Sequence, residues 1–323
     1  MRILFAGSPA IAIPSLKLIS DLELEGKGIA LAGILTNVDC RRCRRGADEP
    51  SDISAAVLKL DPERREKGLK PVAQIKSVKI NAGTRKEAAD LGADILVSFA
   101  CRHIFGPRFL ALFPLGGINI HPSLLPKYRG ASPIPAVILA GEKETAVCIQ
   151  RLAREMDTGD ILAMDRFNLN GRETTLSLSE TVSIRAASLL KNLLLNFDSR
   201  AACAMPQKGE ASYCREIKKE AGLMDWNKGA VQLDAQIRAF TPWPLSYTRR
   251  GKDTLFILEA FPLEKENTCN TAPGTVLGTD QGILIQTGNG ILRVTSLQCQ
   301  AKKALDWKAF LNGARDFMGS QLG

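Results

Sequence analysis

Two stretches of this chain hold side chains that together could do chemistry. They are Asn119-Ile120-His121-Pro122-Ser123-Leu124-Leu125-Pro126-Lys127-Tyr128-Arg129-Gly130 and, further on, Met156-Asp157-Thr158-Gly159-Asp160. An amide, an imidazole and a carboxylate can bind a carbonyl oxygen and manage a proton. Asn119 and His121 are two residues apart in the extended run Gly117-Ile118-Asn119-Ile120-His121, so strand alternation turns both to one face. The chain has only 2 histidines, and one lies in this motif, which makes His121 the candidate for acid-base work. An isolated Asn-x-His pair would more often satisfy loop backbone at a strand end. The Leu124-Leu125-Pro126 loop and the Asp157 turn reverse those odds.

The elements that must position these groups follow from periodicity. Ile3–Ala6, Ile29–Leu35 and Ile95–Phe99 read as buried strands, and a helix runs through Pro14–Ile19, an alternation that predicts βαβ units and a mostly parallel sheet. Gly117–His121 then ends at the carboxyl edge of that sheet, where loops form a crevice without disturbing the core. G-x-G-x-x-G is absent after the first strand, which disfavours a dinucleotide site. Ala146–Leu152 and Ile161–Leu169 read as strands flanking the Asp157 turn, and Thr175–Asn196 as a long amphipathic helix. The polar stretch Ser199–Glu210 suits a linker. Beyond it, Thr254–Ala260, Gly274–Leu277, Gly282–Thr287 and Gly290–Leu297 read as strands with Gly turns, and Leu305–Met318 as a terminal helix. Short strands with Gly-rich turns fit a small OB-like barrel. The expected division is a catalytic domain over 1–200, a linker over 201–210 and a C-terminal domain over 211–323.

At 323 residues, two separate cores are the default, and 45% hydrophobic with 24% charged residues is ordinary for a globular protein. No run reaches the length of a membrane span, and Met1-Arg2 leads directly into an apolar strand, so a cytoplasmic monomer is expected. The 8 cysteines are scattered, which suits a reducing compartment. Cys40 and Cys43 form a lone Cys-x-x-Cys that cannot complete a tetrahedral zinc site, so no metal is expected. The net charge of +9 favours a polyanionic partner without deciding one.

Asn-x-His, the Ser-Leu-Leu-Pro-x-Tyr-Arg-Gly loop and Asp-Thr-Gly-Asp together resemble the folate-dependent formyltransferases. Arg2–Pro9, Ile237–Pro244, Pro273–Val276 and Leu311–Gly313 extend the resemblance, over nearly the full length, to the methionyl-tRNA formyltransferases among them. The resemblance implies a Rossmann-like catalytic domain joined to an OB-like, tRNA-binding C-terminal domain. It also implies transfer of a formyl group from 10-formyltetrahydrofolate to the amine of initiator methionyl-tRNA. In such a transfer the intermediate is tetrahedral, with a negative oxygen and a briefly positive nitrogen. Asn119 and a protonated His121 would donate to the oxygen, while Asp157 would hold the imidazolium and relay the ammonium proton.

Ser123, Leu124, Leu125 and Pro126, with Phe99, Ala100, Cys101 and Arg102, are the residues the resemblance sets against the folate, and Tyr128 and Arg129 are further candidates for positioning substrate. Cys101-Arg102 stands where the family often has Tyr-Gly. His103 has no motif partner and reads as a pocket-wall or surface histidine.

Arg41, Arg42, Arg44 and Arg45 follow the second strand and read either as a solvated charge run or as an RNA-phosphate contact. Their place at the carboxyl edge and the resemblance favour RNA. The competing functions are a sugar-nucleotide N-formyltransferase, a formyltetrahydrofolate hydrolase and an RNA-binding protein that has lost catalysis. The basic loop weighs against the first two, and intact Asn119, His121 and Asp157 weigh against the third.

Overall fold

The apolar runs near the amino terminus assemble into one sheet because strands buried on both faces need partners on either side. In the computed structural model, which describes residues 1–40, 47–263, 271–314 and 316–323, these strands are β1 (Arg2–Ala6), β2 (Ala30–Thr36), β3 (Ala73–Lys76), β4 (Ile95–Phe99) and β5 (Gly117–His121). β6 (Arg129–Gly130), β7 (Glu144–Arg151), β8 (Ile161–Asn168) and β9 (Tyr213–Cys214) complete the set. The sheet runs β3-β2-β1-β4-β5-β7-β8, and β6 pairs separately with β9. β1 to β5 are parallel, whereas β7 runs antiparallel to β5. Strand order reverses at β1, which has β2 on one side and β4 on the other. Such a reversal opens a crevice at the carboxyl edge.

Ile3, Leu4 and Phe5 of β1 are fully buried, each contributing about 1.5–3 kcal/mol by leaving water. The helix Ile13–Leu24 begins with Pro14 in its first turn, where a missing N–H costs nothing, and buries Leu16, Ile19 and Leu22. The helices Asp52–Glu66 and Ala82–Asp90 start at side-chain caps, Ser51 accepting from the Ser54 N–H at 3.1 Å and Asn81 from that of Thr84 at 2.9 Å. The segment expected as a linker is more structured than its polarity suggests. Phe197–Ala202 is helical, and Met205 forms a backbone bridge with Ile161 at the start of β8.

By compactness the chain divides into two units. The first holds Met1–Pro133, Glu144–Phe167 and Ser179–Tyr213, and the second holds Ile134–Lys143, Asn168–Leu178 and Cys214–Gly323. The second unit carries an antiparallel sheet of β10 (Ser246–Arg250), β11 (Asp253–Leu263), β12 (Val276–Thr279), β13 (Ile283–Gln286), β14 (Ile291–Cys299) and β15 (Leu305–Asp306). Its order is β10-β11-β14-β13-β12, with β15 added to β14. Among the described residues no pairing joins β12 to β10, so closure into the expected barrel is not seen. Leu233 and Ile237 of the helix Ala230–Ala239 pack on Ile257, Ile283, Leu292 and Val294. Within the same unit Asp234, 3% exposed, is held between Arg172 at 2.9 Å and Arg238 at 2.8 Å.

The terminal helix is shorter than expected and spans Trp307–Gly313. Leu305 and Asp306 are taken by the sheet, opposite Leu297 and Ser296, and the Asp306 carboxylate caps the Lys308 and Ala309 N–H groups. Among the described residues no helix is long and apolar enough to cross a membrane, and no cluster of three or more His, Cys, Asp or Glu could hold a metal ion.

Candidate active site

β5 delivers Asn119 and His121 to the carboxyl edge on one face, as alternation requires. Its antiparallel neighbour β7 then sets Gln150 opposite Asn119 and Cys148 opposite His121. The turn between β7 and β8 brings Asp157 to the same point. That turn is tight: a Cβ at Gly159 would lie 1.9 Å from the Arg151 carbonyl oxygen, so only glycine fits. Asp157 itself adopts φ of 57°, a left-handed conformation that asparagine and aspartate tolerate better than most residues.

The Asp157 carboxylate collects donors. Its Oδ2 accepts the Gly130 N–H at 2.8 Å, and its Oδ1 accepts Gln150 Nε2 at 2.8 Å and Asn119 Nδ2 at 3.4 Å. Gly130 has φ of 113°, which only glycine adopts readily, and this backbone turn aims its N–H at the carboxylate. His121 Nδ1 lies 3.5 Å from the same Oδ1, with both side chains under a tenth exposed. The other ring nitrogen, Nε2, is 2.9 Å from the Tyr128 carbonyl. A carbonyl only accepts, so Nε2 carries the hydrogen and Nδ1 is left facing Asp157.

Burial lowers the His121 pKa below the ordinary imidazole value, and the opposing Asp157 charge and the Tyr128 hydrogen bond do not restore it. The ring is thus harder to protonate than a free imidazole, which favours a neutral resting state over the protonated donor expected from sequence. The reason is enclosure, which a linear motif does not reveal. Imidazole NMR across a pH series should find the His121 ring titrating below the ordinary imidazole value of about 6.5. Asp157→Asn should drive that ring lower still, because it removes the charge that raises it. A His121 ring that titrates at or above the ordinary value, or rises in the variant, contradicts this electrostatic account.

The remaining expected residues divide. Ser123 is fully buried, its hydroxyl donating to the Lys127 carbonyl at 2.6 Å and its own carbonyl accepting the Cys148 thiol at 3.1 Å. Its side chain braces the loop from within. Burial pushes the Cys148 thiol up to about 12, so it stays a protonated donor. Leu125 is buried with Ala146, Cys148 and Ile161, and Leu124 packs half-buried against them. Pro126 follows through a cis peptide bond.

The Phe99 ring is 1% exposed and belongs to the core, leaving exposed Ala100 and Arg102 to face outward. Burial raises the Cys101 thiol to about 11, and its sulfur lies 3.3 Å from His103 Nδ1. His103 is itself buried, its Nε2 3.0 Å from the Ser77 carbonyl. Arg41, Arg42, Arg44 and Arg45 lie outside the described residues.

Two amides join the site that sequence reasoning does not single out. Gln150 carries a weak signal, as the polar residue that ends the apolar run Val147-Cys148-Ile149. Gln207, which reaches the Asp157 turn, sits in a polar stretch with no such signal.

Comparison with known proteins fixes the family. The formyl transferase family matches residues 3–194, and its C-terminal domain matches residues 216–315. The methionyl-tRNA formyltransferase of Treponema denticola is 46% identical, covering 98% of this chain and 98% of its own length. The chain belongs to the methionyl-tRNA formyltransferase family. The methionyl-tRNA formyltransferase of Treponema pallidum strain Nichols agrees, at 39% identity over 100% of this chain and 99% of that one. A more distant likeness shows fold alone. An N-formyltransferase from Helicobacter canadensis, solved with folinic acid and dTDP-3-aminofucose, is 19% identical with a TM-score of 0.61, covering 90% of this chain and 98% of that chain. The mostly parallel sheet followed by an antiparallel C-terminal sheet is thus the fold of a methionyl-tRNA formyltransferase.

Proposed function

We propose that this site transfers a formyl group from 10-formyltetrahydrofolate to the α-amino group of initiator methionyl-tRNA. The observation that carries the mechanism is the convergence of Asn119 and His121 on Asp157 at a water-poor sheet edge. Asn119 Nδ2 donates to the carbonyl oxygen as it gains negative charge. Neutral His121 accepts the amine proton at Nδ1, the nitrogen freed by the Tyr128 hydrogen bond. Asp157 then holds the imidazolium by its charge. An unprotonated amine is already a competent nucleophile, so no covalent enzyme intermediate is needed.

The folate is proposed to sit beside this centre, near the half-buried Leu124 and the exposed Ala100 and Arg102 that follow Phe99. It would supply the formyl group: as the amine nitrogen bonds to the formyl carbon, the bond from that carbon to N10 of the folate breaks, and the proton taken by His121 passes to the departing N10. We read residues 1–200 as the catalytic domain, 201–210 as its connection, and 211–323 as an OB-like domain for tRNA. The register shifts of β11 against β14 support a curled sheet of that kind.

The decisive assay offers methionyl-tRNA, free methionine and an amino-sugar nucleotide as acceptors, and only the first should be turned over. Arg41, Arg42, Arg44 and Arg45 are proposed to bind tRNA phosphates. Replacing all four by Ala should weaken tRNA affinity most at low salt and flatten its salt dependence by about one unit of log–log slope for each phosphate no longer neutralised, with folate binding unchanged. Unaltered affinity and slope across a salt series would move RNA recognition elsewhere.

A further inference from the structure

We infer that Gln207 is a positioning residue for the proton-handling carboxylate, acting by locking the Asp157 turn. The inference rests on the proposed role of Asp157 in proton transfer. The Gln207 Nε2 group is 2.9 Å from the Asp157 carbonyl, 2.9 Å from the Gly159 carbonyl and 3.1 Å from Gln150 Oε1, so its two hydrogens are shared among three acceptors. Its Oε1 accepts from Arg129 Nη2 at 2.6 Å and Nε at 3.1 Å. One side chain thereby ties the loop after Leu-Leu-Pro, strand β7 and the turn itself.

Asp157 needs such a tie. Its left-handed backbone is disfavoured for any residue with a Cβ, and it persists only where the surroundings over-determine it. Gln207 is fixed well enough to do this. Two residues before it, Met205 exchanges both backbone hydrogen bonds with Ile161, and five residues after it, Ser212 accepts from the Arg129 N–H at 2.9 Å and from the Tyr128 N–H through its hydroxyl at 2.9 Å.

An amide is also the right chemistry here. The Gln207 amide oxygen accepts from the Arg129 guanidinium, while Gln150, Asn119 and the Gly130 N–H donate to the Asp157 carboxylate. A carboxylate at 207 would keep Arg129 but lose every N–H donor to the turn.

The test compares wild type with Gln207→Met, which keeps bulk and loses the hydrogen bonds, and Gln207→Glu, which keeps the Arg129 contact alone. Misplacing a reacting group by about 1 Å can cost about a hundredfold. Both variants should lose tens-fold to about a hundredfold in kcat, with KM for methionyl-tRNA and for 10-formyltetrahydrofolate within about twofold of wild type. The His121 imidazole should titrate lower in Gln207→Met, because the carboxylate that raises it has swung away. If Gln207→Met does not fold, judged by thermal unfolding, Gln207→Glu decides alone.

Wild-type kcat in Gln207→Glu with a loss in Gln207→Met would make holding Arg129 the function and overturn the inference. A loss confined to KM, or wild-type kcat in both, would also overturn it. Asp157→Asn is measured alongside. If it is inactive while the Gln207 variants are not, only the inference fails; if it is fully active, the proposed role of Asp157 fails as well.

Discussion

Asp157→Asn should lower the rate of formyl transfer by about 10²–10⁴-fold while leaving the fold and substrate binding in place. Asparagine preserves the size of the side chain, and its single carbonyl oxygen can accept from either the Gly130 N–H or Gln150 Nε2, while the Gln207 hydrogen bonds to the backbone of the turn remain. What disappears is the negative charge 3.5 Å from His121 Nδ1. Burial already disfavours the imidazolium, and Asp157 is the main group opposing that effect, so without it the ring no longer takes the amine proton effectively. His121→Ala should fall in the same range. Because the two act on one proton, the double variant should be little worse than either single one. Single-turnover rates for the three variants test this. A rate for Asp157→Asn within about tenfold of wild type would assign the proton to another group.

Asn119→Ala should cost about a hundredfold to a thousandfold in turnover, the usual effect of removing one preorganised donor to a developing oxyanion. The loss should be independent of pH, since an amide does not titrate. That separates it from the His121 and Asp157 variants, whose rate profiles should change shape. Asn119 is half-buried and points its Nδ2 toward Asp157, so its replacement opens a small polar gap without unfolding β5. Unchanged turnover would shift the oxygen's donor to a neighbour, and Gln150 stands directly across the ladder from position 119.

Much of this centre was legible in the amino-acid order. Gly117–His121 is a strand with the expected bounds, and its period of two places Asn119 and His121 on one face. The Asp157 turn lies between two strands because Ala146–Leu152 and Ile161–Leu169 are apolar on either side of a Gly-bearing segment. The helix expected from Thr175 to Asn196 spans Thr175–Leu195. Each of these is a property of one continuous segment, where backbone periodicity and side-chain polarity report directly on what is buried.

The rest was decided only when distant segments met. Gln150 enters the site because β7 pairs with β5 antiparallel in a register that sets it opposite Asn119, and a shift of one residue would turn it to the other face. Gln207 arrives from a polar stretch whose composition suggests only a connection, until the Met205–Ile161 bridge pins it beside the turn. The Ser123 hydroxyl is turned inward because the loop closes around it. The charge state of His121 also depends on enclosure, since desolvation is the sum of every neighbouring element that excludes water. Local sequence determines which groups are offered at a strand end. Strand order, register and loop closure determine which of them meet, and how dry the place is where they do.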